Sequence, residues 1–253
     1  MEVMIEVAEV TKRYGRDTIF ENLSLTVHAG EVLCIVGPSG TGKSTLLRCM
    51  NGLEVTQTGL IKVAGMLIGN ELRHGRIRPL SEKRIAKQRR HIGMVFQDWG
   101  LFQHLTAIDN ITLARRLRRE EHNDKAELEA EARELLAKVG LAAKAGSYPR
   151  ELSGGEQQRV AIARALCQHP KVILFDEPTS ALDGKAVREV QDVIVDLAGA
   201  GLTMVVVTHD QRLIKELATR IVIMDGGSII ADDTLEKLYE QSDPRALRLL
   251  PPP

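Results

Sequence analysis

Short apolar runs set off by turns fill the first 36 residues of the chain, and similar runs return after residue 170. Between Gln97 and Arg150 the pattern changes to a helical one. Met4-Ile5-Glu6-Val7 and Leu23-Ser24-Leu25-Thr26-Val27 read as strands of a small antiparallel piece, which feeds the buried strand Val32-Leu33-Cys34-Ile35-Val36 after Ala29-Gly30. A glycine-rich loop follows, and Ser44 to Met50 then reads as a helix. Strand, glycine loop and helix together open a parallel α/β sheet. Two more buried strands are predicted: Val172-Ile173-Leu174-Phe175, ending at Asp176, and Thr203-Met204-Val205-Val206-Val207-Thr208, ending at His209. In the helical stretch, Asp124 to Val139 puts Leu128, Leu135, Leu136 and Val139 on one face. Its acids come early, Lys138 comes late and Gly140 stops it.

The loop after the third strand is Gly37-Pro38-Ser39-Gly40-Thr41-Gly42-Lys43-Ser44, the full G-x-x-x-x-G-K-S spacing in its required strand-to-helix context. Its glycines let backbone N–H groups wrap phosphates, Lys43 reaches the outer phosphates, and the Ser44 hydroxyl can hold Mg²⁺. The expected fold is therefore α/β: a P-loop NTPase core with a parallel sheet, a small N-terminal antiparallel β subdomain and an inserted α-helical subdomain. The core is placed at 1–96 and 160–253, and the helical insertion at 97–159.

A second anion cradle is Leu152-Ser153-Gly154-Gly155-Glu156, which opens a helix but has no lysine and no strand before it. Bare N–H groups at a helix start attract negative charge. Ser153 and Glu156 also make an S-x-x-E capping box. Capping does not explain Gly154 and Gly155, which cost about 1 kcal/mol each in a first turn. Close approach of another group to the backbone does, so Ser153 and Gly155 are expected to meet phosphate. Two cradles and one nucleotide loop suggest that the second serves another copy's nucleotide.

Asp176-Glu177 directly follows a buried strand, where open α/β sheets bind ligands. Asp176 is expected to hold Mg²⁺, and Glu177 to accept a proton from an attacking water. Gln97, after Met94-Val95-Phe96, can orient that water or touch Mg²⁺; His209 can hydrogen-bond a γ-phosphate. Each is a weak signal alone and gains from the other strand ends. Tyr14, in Lys12-Arg13-Tyr14-Gly15, reads by itself as an exposed turn residue, although it can stack on a base. The bases between Arg73 and Arg90 lack interleaved aromatics and read as a solvated, partly helical face. Pro251-Pro252-Pro253 reads as a loose tail.

Composition adds limits. The 253 residues are 43% hydrophobic and 27% charged, with Lys+Arg and Asp+Glu equal at 34. That balance gives no field for nucleic acid, which is not an expected partner. No apolar run reaches the ~20 residues of a membrane span, and no secretory signal is visible from Met1 onward. Cys34, Cys49 and Cys167 are unpaired in pattern, which fits a cytoplasmic setting.

Taken in order, the glycine loop, Gln97, Leu152-Ser153-Gly154-Gly155, Asp176-Glu177, Ser180-Ala181-Leu182-Asp183 and His209 resemble the ATP-binding cassette (ABC) family over nearly the whole chain. The resemblance implies a head-to-tail homodimer with two ATP molecules, each held between one chain's Gly37–Thr45 loop and the other's Ser153-Gly154-Gly155. It gives Tyr14 a stacking role and Asp183 a role in communication across the dimer. Within the family the chain looks most like ATPase subunits of polar amino acid importers, through Val95-Phe96-Gln97-Asp98, Leu101–Thr106 and the ending at Asp243-Pro244-Arg245. That implies integral membrane permeases, a solute-binding protein and a place at the cytoplasmic face of the membrane. ATPases for lipoprotein release, cell division or another solute, and non-transport cassettes acting on nucleic acid or ribosomes, remain alternatives. Glu156 in place of the subgroup's usual Gln, and Asp98-Trp99-Gly100 after Gln97, depart from the pattern.

Overall fold

The computed structural model describes residues 2–73, 75–118, 124–241 and 244–252. The chain runs β1 (Val3–Tyr14), β2 (Asp17–His28), β3 (Val32–Val36), α1 (Lys43–Met50), β4 (Thr58–Val63), β5 (Met66–Leu67), β6 (Asn70–Arg73), β7 (Arg76–Pro79), α2 (Glu82–Arg89) and β8 (Ile92–Val95). It continues with α3 (Ala107–Arg116), α4 (Lys125–Lys138), α5 (Gly154–Leu166), β9 (Val172–Asp176), α6 (Gly184–Gly199), β10 (Thr203–Val207), α7 (Gln211–Leu217), β11 (Arg220–Asp225), β12 (Ser228–Asp233), α8 (Leu235–Gln241) and α9 (Pro244–Leu247).

Every residue of β3, β8, β9 and β10 is buried. Such unbroken apolar runs belong to a parallel sheet covered on both faces. The main sheet has the order β12-β11-β3-β10-β9-β8, parallel throughout except for β12, which pairs antiparallel with β11. Parallel pairing sends the ends of β3, β8, β9 and β10 to one edge, and the polar residues that terminate them meet there. A separate antiparallel sheet, β2-β1-β4-β5, is the expected N-terminal piece. Phe20, Leu23, Leu25 and Val27 of β2 pack with α1 and one face of the main sheet.

The helical part follows its sequence pattern. Asp124 caps α4 by accepting from the Ala126 N–H at 2.8 Å, and Leu128, Ala132, Leu135 and Leu136 form its buried face. Val139 is buried, and Gly140 closes the helix at φ +71°. α5 is one unbroken helix. Val160, Ala161 and Ala163 pack among α3 and α4, while Ile162 and Ala165 pack under the sheet. The boundary drawn at 159/160 falls inside this helix.

One expectation changes. The tail is anchored: Leu250 and Pro251 are buried, and the Tyr239 hydroxyl donates to the Pro251 carbonyl at 2.7 Å. Pro253 and Asp243 lie outside the described residues. The basic segment is a β6–β7 hairpin followed by α2, a largely exposed and partly helical face as expected. No described helix is long and apolar enough to cross a membrane.

Candidate active site

At the polar edge of the sheet, a cavity of about 500 Å³ is walled by Ser39, Gly40 and Gly42 to Thr45 of the glycine loop, with Gln97, Glu177, Ser180 and His209. Two glycines of the loop are required by close approach. A Cβ on Gly37 (φ +152°) would lie 2.0 Å from the Met224 carbonyl oxygen of β11, and one on Gly42 (φ +94°) would lie 2.8 Å from Ile19 Cγ2 of β2. The loop is thus seated between the two sheets. Lys43, nearly buried, donates from Nζ to the carbonyls of Gly37 and Pro38, each at 2.7 Å. Burial lowers its pKa, and the Glu177 and Asp176 carboxylates oppose that shift.

Ser44 Oγ donates to Asp176 Oδ1 at 2.6 Å, so the first turn of α1 is pinned to the end of β9. Asp176 is buried and in register with Val207 of β10. Glu177 sits at φ +49°, a left-handed conformation that costs of order 1 kcal/mol for a side-chain-bearing residue. Its N–H donates to the Val207 carbonyl at 2.9 Å, which holds the turn in place. The Glu177 Oε1 lies 2.9 Å from His209 Nε2. Burial raises the Glu177 pKa, against the pull of His209 and Lys43. A carboxyl raised in this way is a better proton acceptor near neutral pH than an ordinary glutamate.

Gln97, exposed two residues past β8, lines this cavity and also a neighbouring one with Ser44 and Asp176. Hard oxygen donors on Ser44 and Asp176 suit Mg²⁺, which takes few protein ligands and keeps its other positions for phosphate and water. Ile19 and Ser180 also line the cavity, and neither is assigned to it from the sequence. Ile19 is one apolar strand residue among many; Ser180 is brought in by its hydroxyl bond to the Glu177 carbonyl at 3.0 Å.

The second cradle forms a separate cavity of about 570 Å³, lined by Ser153–Glu156, Arg159 and residues from Ala181 to Glu189. It shares no lining residue with the first. The capping box is present. Ser153 Oγ accepts from the Glu156 N–H at 3.2 Å, and the Ser153 N–H donates to Glu156 Oε2 at 2.8 Å. Asp183 caps α6, accepting from the Ala186 N–H at 3.4 Å. Both glycines also have close neighbours within the chain. A Cβ on Gly155 would meet Ala186 Cβ at 2.7 Å, and one on Gly154 would meet Trp99 Cζ2 at 3.1 Å and Leu182 Cδ2 at 3.2 Å. Helix packing therefore requires glycine at 155, and it leaves little room for a side chain at 154. Tyr14 ends β1, 43% exposed, and is not among the residues lining the first cavity.

Residues 20–180 match the family model described as ABC transporter. The arginine transport ATP-binding protein ArgV of Corynebacterium glutamicum is 48% identical over 94% of this chain and 93% of its own length. The chain belongs to the ABC transporter family. The glutamate/aspartate import ATP-binding protein GltL of Escherichia coli K12 is 44% identical, covering 97% of this chain and 96% of its own. A solved dimeric ATP-binding cassette in a post-hydrolysis state with ADP and Pi superposes with a TM-score of 0.79 at 33% identity, over 92% of this chain and 99% of that one.

The chain is thus an ABC ATPase, and both of its departures from the family pattern have a local structural account. Glu156 completes the capping box, and Lys144 lies 3.3 Å from its other oxygen. Trp99 (φ +60°) and Gly100 (φ +56°) turn left-handed, and Arg164 of α5 holds their carbonyls from Nη2 at 2.8 Å and Nη1 at 2.6 Å. The loop after Gln97 is in this way fastened to the helix that starts at Ser153.

Proposed function

We propose that this ABC ATPase energises import of a polar amino acid, working as a head-to-tail homodimer bound to integral membrane permeases at the cytoplasmic face of the membrane, with a solute-binding protein delivering the cargo. The observation that carries the dimer is the separation of the two cradles: within one chain, Ser153-Gly154-Gly155 and the Lys43 loop line different cavities. A second copy brings its Ser153 helix start to the outer phosphate of the first copy's nucleotide. Asp183, which caps α6 beside that helix start, is placed to transmit the closure. Amino acid import is supported by the transport functions of the relatives at 44–48% identity.

In each site, the loop N–H groups of Ser39 to Thr45 cradle the phosphates and Lys43 exchanges two carbonyls for phosphate oxygens. Ser44, Asp176 and Gln97 would hold Mg²⁺, which supplies charge neutralisation on the phosphates when bound. Glu177 takes the proton of the attacking water, and His209 fixes the Glu177 carboxylate while its ring faces the terminal phosphate. Tyr14 stacks on the base.

The deciding experiment is co-purification of the chain with its membrane partners, followed by ATP-driven uptake into vesicles with candidate amino acids. Uptake of a polar amino acid that needs both ATP and Glu177 supports the reading. Recovery of ribosomes or DNA instead of a membrane protein would reject it.

A further inference from the structure

Lys12 is a buried ammonium that the reading above leaves without a task. It lies on β1, 4% exposed, two residues before Tyr14. Its Nζ lies 2.7 Å from Glu54 Oε2 and 2.9 Å from the Val55 carbonyl, and sits over the Tyr14 ring, 4.4 Å from its centroid. Burying an ammonium is costly, and apolar residues of like size often serve packing as well or better. Three partners for one charge therefore point to a geometric role.

Those partners join two parts of the nucleotide site. Glu54 follows α1, and its own N–H donates to the Arg48 carbonyl in the last turn of that helix, at 3.2 Å. Tyr14 lies at the end of β1, in the other sheet. The bond to Lys12 holds the Glu54 carboxyl below the usual carboxylate range. Burial and the neighbouring Glu54 carboxylate raise the Tyr14 hydroxyl, and the Thr45 hydroxyl on the cavity wall acts on it in the opposite sense. An ammonium on one ring face restricts the ring's rotamers and leaves exposed aromatic surface for a flat partner.

We propose that Lys12 is a positioning residue for base recognition: its ion pair with Glu54 and its place against the Tyr14 ring fix that ring as a stacking platform at a set distance from the phosphate-loop helix. This rests on the assignment of Tyr14 to the base. A charge-neutral Lys12 position leaves the ring to sample other rotamers, which weakens base binding and spares phosphate binding.

The test is calorimetric titration of the full chain with ATP and with inorganic tripolyphosphate, which has the anion and no base. Tyr14→Ala and Lys12→Met are each expected to weaken ATP binding about 3- to 10-fold and to leave tripolyphosphate unchanged. The double variant should be no weaker than Tyr14→Ala alone, because the second change removes nothing further. In turnover assays Lys12→Met should raise KM for ATP with kcat retained, and Lys12→Arg should restore much of the loss. Equal weakening of both ligands by Lys12→Met, penalties that add in full, or unchanged ATP binding beside a weakened Tyr14→Ala would each overturn the role of Lys12 alone. Tyr14→Ala without effect on ATP removes the base platform and this role together. Should Lys12→Met fail to fold, Lys12→Met with Glu54→Gln leaves no unpaired charge and takes its place in every comparison.

Discussion

Glu177 and His209 meet at 2.9 Å across the ends of two neighbouring parallel strands, β9 and β10. The contact joins a carboxyl whose pKa burial raises to an imidazole that pulls it back down. Replacing Glu177 by Gln keeps the shape and removes the base, so turnover should fall by roughly 10²–10⁴ with ATP binding intact. Single-turnover rates beside nucleotide titration check this, and near-normal turnover would refute the assignment.

The same raised pKa has a stability consequence. Between the unfolded glutamate value of about 4.5 and the higher folded value, the folded chain binds more protons than the unfolded chain, so stability falls as pH rises through that window. The penalty is complete above the folded pKa. Glu177→Gln should therefore raise Tm at pH 8 and change it little at pH 4, as read by thermal unfolding at both values.

His209→Ala removes the stronger of the two charged groups that lower the Glu177 pKa, the other being Lys43. The acidic limb of the pH–rate profile should move to higher pH, and turnover at pH 7 should drop by roughly tenfold or more, the usual loss for a hydrogen bond to a charged group. An unmoved limb would show that the imidazole does not act on the carboxyl.

Gly155 and Gly154 separate packing from phosphate contact. Gly155→Ala drives a methyl to 2.7 Å from Ala186 Cβ and should destabilise the chain by about 1–3 kcal/mol, whereas Gly154→Ala meets its neighbours at 3.1–3.2 Å and should cost less. Denaturant titration of the two variants tests the ranking; the reverse order would remove the packing account.

Trp99 is the one tryptophan of the chain, and its ring lies against Gly154 at the start of α5. In the proposed dimer, its emission should therefore change when a second copy closes onto that helix start with ATP. The change is expected in the Glu177→Gln chain, where hydrolysis is slow, and absent with Lys43→Ala, which loses tight ATP binding. An identical response from both variants would show that Trp99 reports something other than closure.

What the sequence discloses follows from how local each signal is. β3, β9 and β10 stand out because a strand covered on both faces is apolar at every position. The glycine loop, the Asp176-Glu177 strand end and the Ser153 cap are legible because their chemistry sits within a few residues. β6 and β7 are hidden by their charge, since they pair through the turn at Gly75 and gain little from burial. β11 is a run of four apolar residues before Asp225-Gly226-Gly227, a hairpin signal unconnected with phosphate chemistry. The reason for Gly155 lies 31 residues away at Ala186, and the partner of Lys12 lies 42 residues away at Glu54. Contacts of that reach are set by packing and leave no pattern in the chain.

The folded-back lysine of the phosphate loop sets an entry toll for anions. With its ammonium already satisfied by two carbonyls of its own loop, a visitor gains from Lys43 only by offering oxygens good enough to displace both. A lone orthophosphate replaces them poorly, whereas a chain of phosphoryl groups reaches the ammonium and the loop N–H groups at once. Weak competition by orthophosphate against nucleotide is the expected signature.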